Sequence, residues 1–100
     1  MRCRSCKPVP EEVRRAADLL ERRHAITILW ASSSGAVRFN EFKQAVTGVQ
    51  PKTLSERLRE LERAGILERK LVDANPPYAE YRLTARGKRL ASVVEAIKAL

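Results

Sequence analysis

One histidine and two cysteines are all that this 100-residue chain offers as imidazole or thiol chemistry. A conventional structural zinc site takes four ligands, so Cys3, Cys6 and His24 of one copy fall one short. No nucleophile motif accompanies the histidine. Gly87-Lys88 is not part of a phosphate-binding loop, because Arg82 stands where that motif needs its earlier glycine. The chain therefore reads as a protein other than an enzyme, and no cofactor is expected. It has no apolar run of ~18 residues, which excludes a membrane-spanning helix. The N-terminus is basic but lacks the apolar segment of a secretory signal, so the expected location is cytoplasmic. There is no internal repeat and no low-complexity tract.

What the chain has in abundance is positive charge. The formal net charge is +8 and the isoelectric point is about 10.2. That balance favours an acidic partner, with nucleic acid or an anionic membrane surface as the candidates. Hydrophobic residues make up 44% and charged residues 32%, enough for one small core inside a charged surface. At this size the core is modest, and dimerisation is a common way to bury more surface. The charge is unevenly spread. Residues 82–100 set Arg82, Arg86, Lys88, Arg89 and Lys98 against Glu95 alone, whereas Arg57, Arg59 and Arg63 are matched by Glu56, Glu60 and Glu62.

Periodicity divides the chain into an irregular arm over 1–9, holding both cysteines, and one folded domain over 10–100. The first predicted helix is Pro10–Arg22, with Glu11 and Glu12 at its positive end and an apolar face of Val13, Ala16, Ala17 and Leu20. The second, His24–Ser32, is apolar almost all round through Ile26, Ile28, Leu29 and Trp30, which predicts burial on most sides, Trp30 included. Val37–Phe39 reads as a short extended piece. Asn40 reads as the N-cap of a third helix, Glu41–Val46. After the turn Thr47-Gly48-Val49, a fourth helix runs over 51–64, with Leu54, Leu58 and Leu61 inward and Gly65 placed as its left-handed stop. Its start is open at this point: Pro51 suits the first turn, while Thr53 and Glu56 have the spacing of a capping box. Two strands follow, Ile66–Val72 and Tyr78–Leu83, joined by a turn with Pro76 and Pro77. Thr84 then caps a last helix whose stripe is Leu90, Val93, Val94 and Ile97, ending at Leu100. Gly87 is expected to allow close packing at the start of that helix.

A short helix, a glycine-containing turn and a polar-faced helix form a helix-turn-helix pattern. The motifs Arg38-Phe39-Asn40-Glu41-Phe42, Pro51-Lys52-Thr53-Leu54-Ser55-Glu56-Arg57-Leu58-Arg59-Glu60-Leu61 and Ala64-Gly65-Ile66-Leu67-Glu68-Arg69 occur in this order. Pro76-Pro77 follows, and then Glu80-Tyr81-Arg82-Leu83-Thr84. Together they resemble the HxlR family of winged-helix transcriptional regulators over roughly residues 16–97. The resemblance implies a mainly α fold with a small β-hairpin, and a homodimer that binds double-stranded DNA. It also implies a fourth helix in the major groove, a wing over 72–78 at the backbone or minor groove, and dimerisation through the terminal helices. The chain departs from the family in two places. Glu21-Arg22-Arg23-His24 replaces a Gly-Gly-Lys-Trp segment. The cysteine that many members carry before the first helix falls near Glu11 here, with Cys3 and Cys6 further upstream, so a sensor role is not carried over.

The chemistry of base and phosphate recognition assigns residues to these roles. Arg59 suits guanine and Glu56 suits cytosine, with Thr53 beside them and Ser55 or Lys52 on phosphate. Arg38 and Lys43 suit phosphates from the preceding elements, and Asn75 at the wing tip suits a groove. The wing is only weakly basic, and Tyr78 occupies a position where a cation would be more useful. The dimer surface is assigned to Val13, Ala17, Leu20, Leu90, Val93, Val94, Ile97 and Leu100, and its DNA target to a pseudo-palindromic operator. Two rival readings stay open: a winged-helix module that binds a protein of a transcription complex, and a thiol- or metal-responsive regulator. In the latter, Cys3 and Cys6 of two copies pool four ligands or act as a dithiol pair.

Overall fold

The computed structural model describes residues 5–100. The order of elements is α1 (Glu11–Leu20), α2 (Ala25–Ser33), α3 (Phe39–Ala45), α4 (Pro51–Arg63), β1 (Leu67–Val72), β2 (Tyr78–Leu83) and α5 (Ala85–Ile97). The expected fold class holds: helices surround a core, and a two-stranded antiparallel hairpin projects from it. Cys3 lies outside the described residues.

The core forms where the inward faces of α2, α3, α4 and α5 meet the base of the hairpin. Ile28, Leu29, Phe42, Leu54, Leu58, Leu61, Leu67 and Val94 are buried there. The three leucines of α4 follow the i, i+4, i+7 spacing of one helix face, and each is at most 1% exposed. At ~1.5–3 kcal/mol for each fully buried leucine, this stripe fixes which side of α4 faces inward. It therefore also fixes which side faces out.

The ends of the elements follow local chemistry. Pro51 occupies the first turn of α4 and Gln50 precedes it in an extended conformation, so Thr53 is an interior residue and not the cap. Gly65 stops the helix at φ 74°. Its amide donates to the Glu62 carbonyl at 3.0 Å and the Ile66 amide to the Leu61 carbonyl at 2.9 Å, the paired bonds of a Schellman stop. Thr84 caps α5, its hydroxyl accepting from the Gly87 amide at 3.0 Å. Gly87 has no room for a side chain, because a Cβ there would run into the carbonyl oxygen of Ile66.

Several expectations need correction. The third helix begins at Phe39 with Arg38 as its N-cap, two residues before the start that an Asn40 cap would give. The cause is Glu41, whose carboxylate accepts from the backbone amides of Val37 and Arg38, each at 2.9 Å. That contact satisfies free amides at the helix start, and Asn40 is left inside the helix. The expected extended piece Val37–Phe39 does not form a strand, since Phe39 already belongs to α3; the Val37 carbonyl still accepts from the Tyr81 amide at 2.7 Å, beside β2.

α2 is not buried on most sides. Ala25, Ile28, Leu29, Ala31 and Ser32 are buried, but Ile26 and Trp30 are 37% and 41% exposed. Trp30 is therefore not a core residue, because its flank of the helix is left partly open to solvent. α1 spans Glu11–Leu20, shorter than Pro10–Arg22, and buries no residue. Its half-buried Ala16, Ala17 and Leu20 face the rest of the chain, while Val13 is exposed. β1 starts at Leu67, one residue after Ile66, and its Leu71 lies exposed because the hairpin extends beyond the core.

Candidate functional site

The surface of α4 follows from its buried stripe. With Leu54, Leu58 and Leu61 inward, Lys52, Ser55, Glu56 and Arg59 lie exposed at i, i+3, i+4 and i+7, along one outward row. Thr53, at the margin, is half-buried. This row presents two cations, a hydroxyl and a carboxylate from a rigid helix. Among the described residues, Lys52, Glu56 and Arg59 form no ion pair, so their charges are available to a ligand.

The turn before α4 aims it. Val46 and Val49 are buried, 3% and 7% exposed, and pin the two ends of the turn to the core. Gly48 supplies the positive φ of 80° that the reversal needs. Lys43 is exposed on α3, and Arg38 stands at that helix's start.

The wing follows α4 after the Gly65 stop. β1 and β2 pair in register from Leu67↔Leu83 to Val72↔Tyr78. Glu68 stands opposite Arg82 and Lys70 opposite Glu80 in this register, but the ion pair that forms is within β2, Arg82 Nη2 to Glu80 Oε1 at 3.0 Å. The 73–77 turn carries Asn75 at the exposed tip. Tyr78, at the tip end of β2, has an unexpected role: the Arg38 guanidinium lies 3.8 Å from the centre of its ring. This cation–π contact joins the start of α3 to the wing and holds a positive charge between them. A tyrosine there does what a further basic residue could not, since two cations at that spacing would repel.

The assigned residues thus fall into groups. Lys52, Ser55, Glu56 and Arg59 share one row of α4, while Arg38 is tied to the wing. Lys43 on α3 and Asn75 at the wing tip lie on other elements. Sequence reasoning missed Tyr78 as the partner of Arg38. It also missed a set of contacts behind α4: Arg57 Nη1 donates to Glu60 Oε1 at 2.6 Å, Arg57 Nε donates to the Arg23 carbonyl at 2.9 Å, and Arg22 Nε lies 3.5 Å from Glu60 Oε2. The i, i+3 spacing of Arg57 and Glu60 is the signal for the first of these.

Among the described residues, the Glu41 carboxyl is clearly shifted. The amide of Val37, and then that of Arg38, hold the Glu41 carboxyl below the ordinary glutamate range; the positive charge of Arg38 adds to this and desolvation opposes it.

The assigned dimer residues divide by exposure. Val13, Val93 and Ile97 are 54%, 53% and 42% exposed, and Leu100 is fully exposed. Ala17, Leu20 and Leu90 are half-buried. Val94 is the exception, because its side chain belongs to the core of its own chain and is not free to meet a partner. Cys6 is not a free thiol, and Cys3 lies outside the described residues. No group of three or more His, Cys, Asp or Glu among the described residues is placed to hold a metal ion. None of the described helices is long and apolar enough to cross a membrane.

With this geometry in place, comparison with known proteins is informative. Residues 19–100 match the family described as HxlR-like helix-turn-helix. The chain is similar to the uncharacterized HTH-type transcriptional regulator YvaP of Bacillus subtilis, 36% identical over 80 residues, which span 80% of this chain and 74% of YvaP. It is equally similar to the uncharacterized HTH-type transcriptional regulator sll1512 of Synechocystis, 36% identical over 88 residues, spanning 88% of this chain and 65% of that one. Among solved structures, diamide-treated YodB from B. subtilis superposes with a TM-score of 0.80 at 30% identity, covering 93% of this chain and 92% of YodB. The redox regulator HypR in its oxidized form gives 0.81 at 31% identity, covering 88% and 91%.

Proposed function

The chain belongs to the HxlR-like helix-turn-helix family and is a winged-helix DNA-binding transcriptional regulator; from that premise we propose that it acts as a homodimer on a pseudo-palindromic operator. The observation that carries the reading is the exposed row Lys52, Ser55, Glu56 and Arg59, set on a helix that a buried turn aims and a wing follows. α4 enters the major groove. There Arg59 donates to a guanine edge and Glu56 accepts from cytosine, with Thr53 beside them, while Lys52 and Ser55 hold phosphate. Arg38 and Lys43 neutralise phosphates beside the groove, and Asn75 carries the wing tip to the backbone or minor groove.

Residues 53–63 are electrically neutral, so attraction to DNA comes from the flanks and selectivity from the row. Residues 10–100 form the working unit, and α1 and α5 supply the contact between copies through Val13, Ala17, Leu20, Leu90, Val93, Ile97 and Leu100. The apolar side chains left outside on both terminal helices support this assignment. The protein works in the cytoplasm, where its DNA target is.

The test is a footprint on operator DNA enriched from a random pool by the purified protein. Two protected half-sites about one helical turn (~34 Å) apart are expected. A single protected half-site, with a monomer in solution, would reject the proposal. Arg59→Ala should cost roughly 1–3 kcal/mol on the operator and relax preference at one position, whereas Lys52→Ala should weaken all sequences alike. An Arg59 variant that also weakened every sequence equally would move Arg59 to the backbone contacts.

A further inference from the structure

Arg57 lies on the reading helix but not on its reading face. Its side chain is only 14% exposed and is held at two of its nitrogens. Nε donates to the carbonyl of Arg23 at 2.9 Å, and Nη1 donates to Glu60 Oε1 at 2.6 Å. The second Glu60 oxygen faces Arg22 at 3.5 Å. The result is a clasp between the flank of α4 and the turn joining α1 to α2.

The turn is shaped to offer that carbonyl. The Ala25 amide donates to the Arg22 carbonyl at 3.0 Å, and His24 follows Arg23 in the left-handed region at φ 71°. A non-glycine residue rarely takes that conformation. Here it starts α2 directly after the Arg23 carbonyl has met α4.

Apolar packing and this clasp do different things. Leu54, Leu58 and Leu61 keep α4 on the core, but the hydrophobic effect that drives their burial is non-directional. A charge-assisted hydrogen bond is directional and weakens steeply when misaligned. We infer that Arg57 is a positioning residue for operator reading: through Glu60 and the Arg23 carbonyl it sets the roll of α4, and so where Arg59 and Glu56 meet the bases. The inference rests on the DNA-binding reading above.

The test uses the full chain, the enriched operator and an unrelated duplex of equal length, each titrated over a range of salt. Arg57→Ala should lose on the order of tenfold in operator affinity and less than about twofold on the unrelated duplex. The slope of log affinity against log salt should be unchanged, because no cation is removed from phosphate. Glu60→Gln, a gentler change to the same clasp, should shift the operator-to-unrelated ratio in the same direction. The double variant should add little to the larger single effect, as members of one unit do.

A salt slope reduced by about one would make Arg57 a phosphate contact and overturn the inference. So would an equal loss on both duplexes, or an unchanged ratio in Glu60→Gln and a folded Arg57→Ala. If the wild-type chain itself fails to prefer any duplex, it is the DNA-binding reading that fails.

Discussion

At Gly87 the chain permits one residue type. A Cβ at this position would collide with the Ile66 carbonyl, a backbone atom that cannot swing aside. Gly87→Ala should therefore push α5 off the base of β1 and lower stability by about 1–3 kcal/mol, the usual range for overpacking. Chemical denaturation of both forms checks this, and an equal or higher midpoint for the alanine variant would contradict it. The need for a small residue at the start of this helix was legible in the sequence. The exposure of Trp30 was not. Its helix is apolar all round, and whether each flank is covered depends on where other elements pack, which no local pattern carries. The pairing of Arg38 with Tyr78 was hidden for the same reason, since the two residues are forty positions apart in the sequence.

Among the elements, helix starts separate what is local from what is not. Thr84 and Gly65 work within a few residues of themselves, and both were readable. The start of α3 was misread, because Glu41 reaches backwards to Val37 and Arg38 and displaces Asn40 from the cap. That contact predicts a pH dependence. The Glu41 carboxyl is held below its ordinary range in the folded chain, so the stabilisation is present above the unfolded glutamate pKa of about 4.3. It is lost as pH falls through the lower folded value. Glu41→Gln removes the titration. The melting temperature should be higher in the wild type at neutral pH, and the gap should close as the solution is acidified below about pH 4. A gap that stays constant with pH would show that the charge of Glu41 does not matter.

For the whole molecule, α1 and the outer side of α5 carry the largest expectation. No residue of α1 is fully buried, although Leu19 and Leu20 pack on the core, and Val93 and Ile97 stay exposed on α5. Apolar side chains placed this way gain ~1.5–3 kcal/mol each when fully covered, and in a symmetric dimer every such gain counts twice. Val93→Asp should shift the protein towards monomer in sedimentation at micromolar concentration, and operator binding should become concentration-dependent. The chain should keep its fold, because Val93 lies outside the core. A dimer that survives Val93→Asp unchanged would remove α5 from the proposed interface. The apolar stripe was legible in the sequence, but which of its residues face out was not: Val93 and Ile97 are exposed while Val94 between them is buried in the core.

The hairpin has a consequence of another kind. β1 pairs with β2 on one side and has no strand on the other. An open strand of this sort is a template on which another chain can extend a sheet, the route by which β-rich segments aggregate. Its middle, Glu68-Arg69-Lys70, is three consecutive exposed charges, and the turn beyond it carries Pro76 and Pro77. A second copy adding in register would have to stack like charges and accommodate those prolines, which disfavours growth of a larger sheet from the wing.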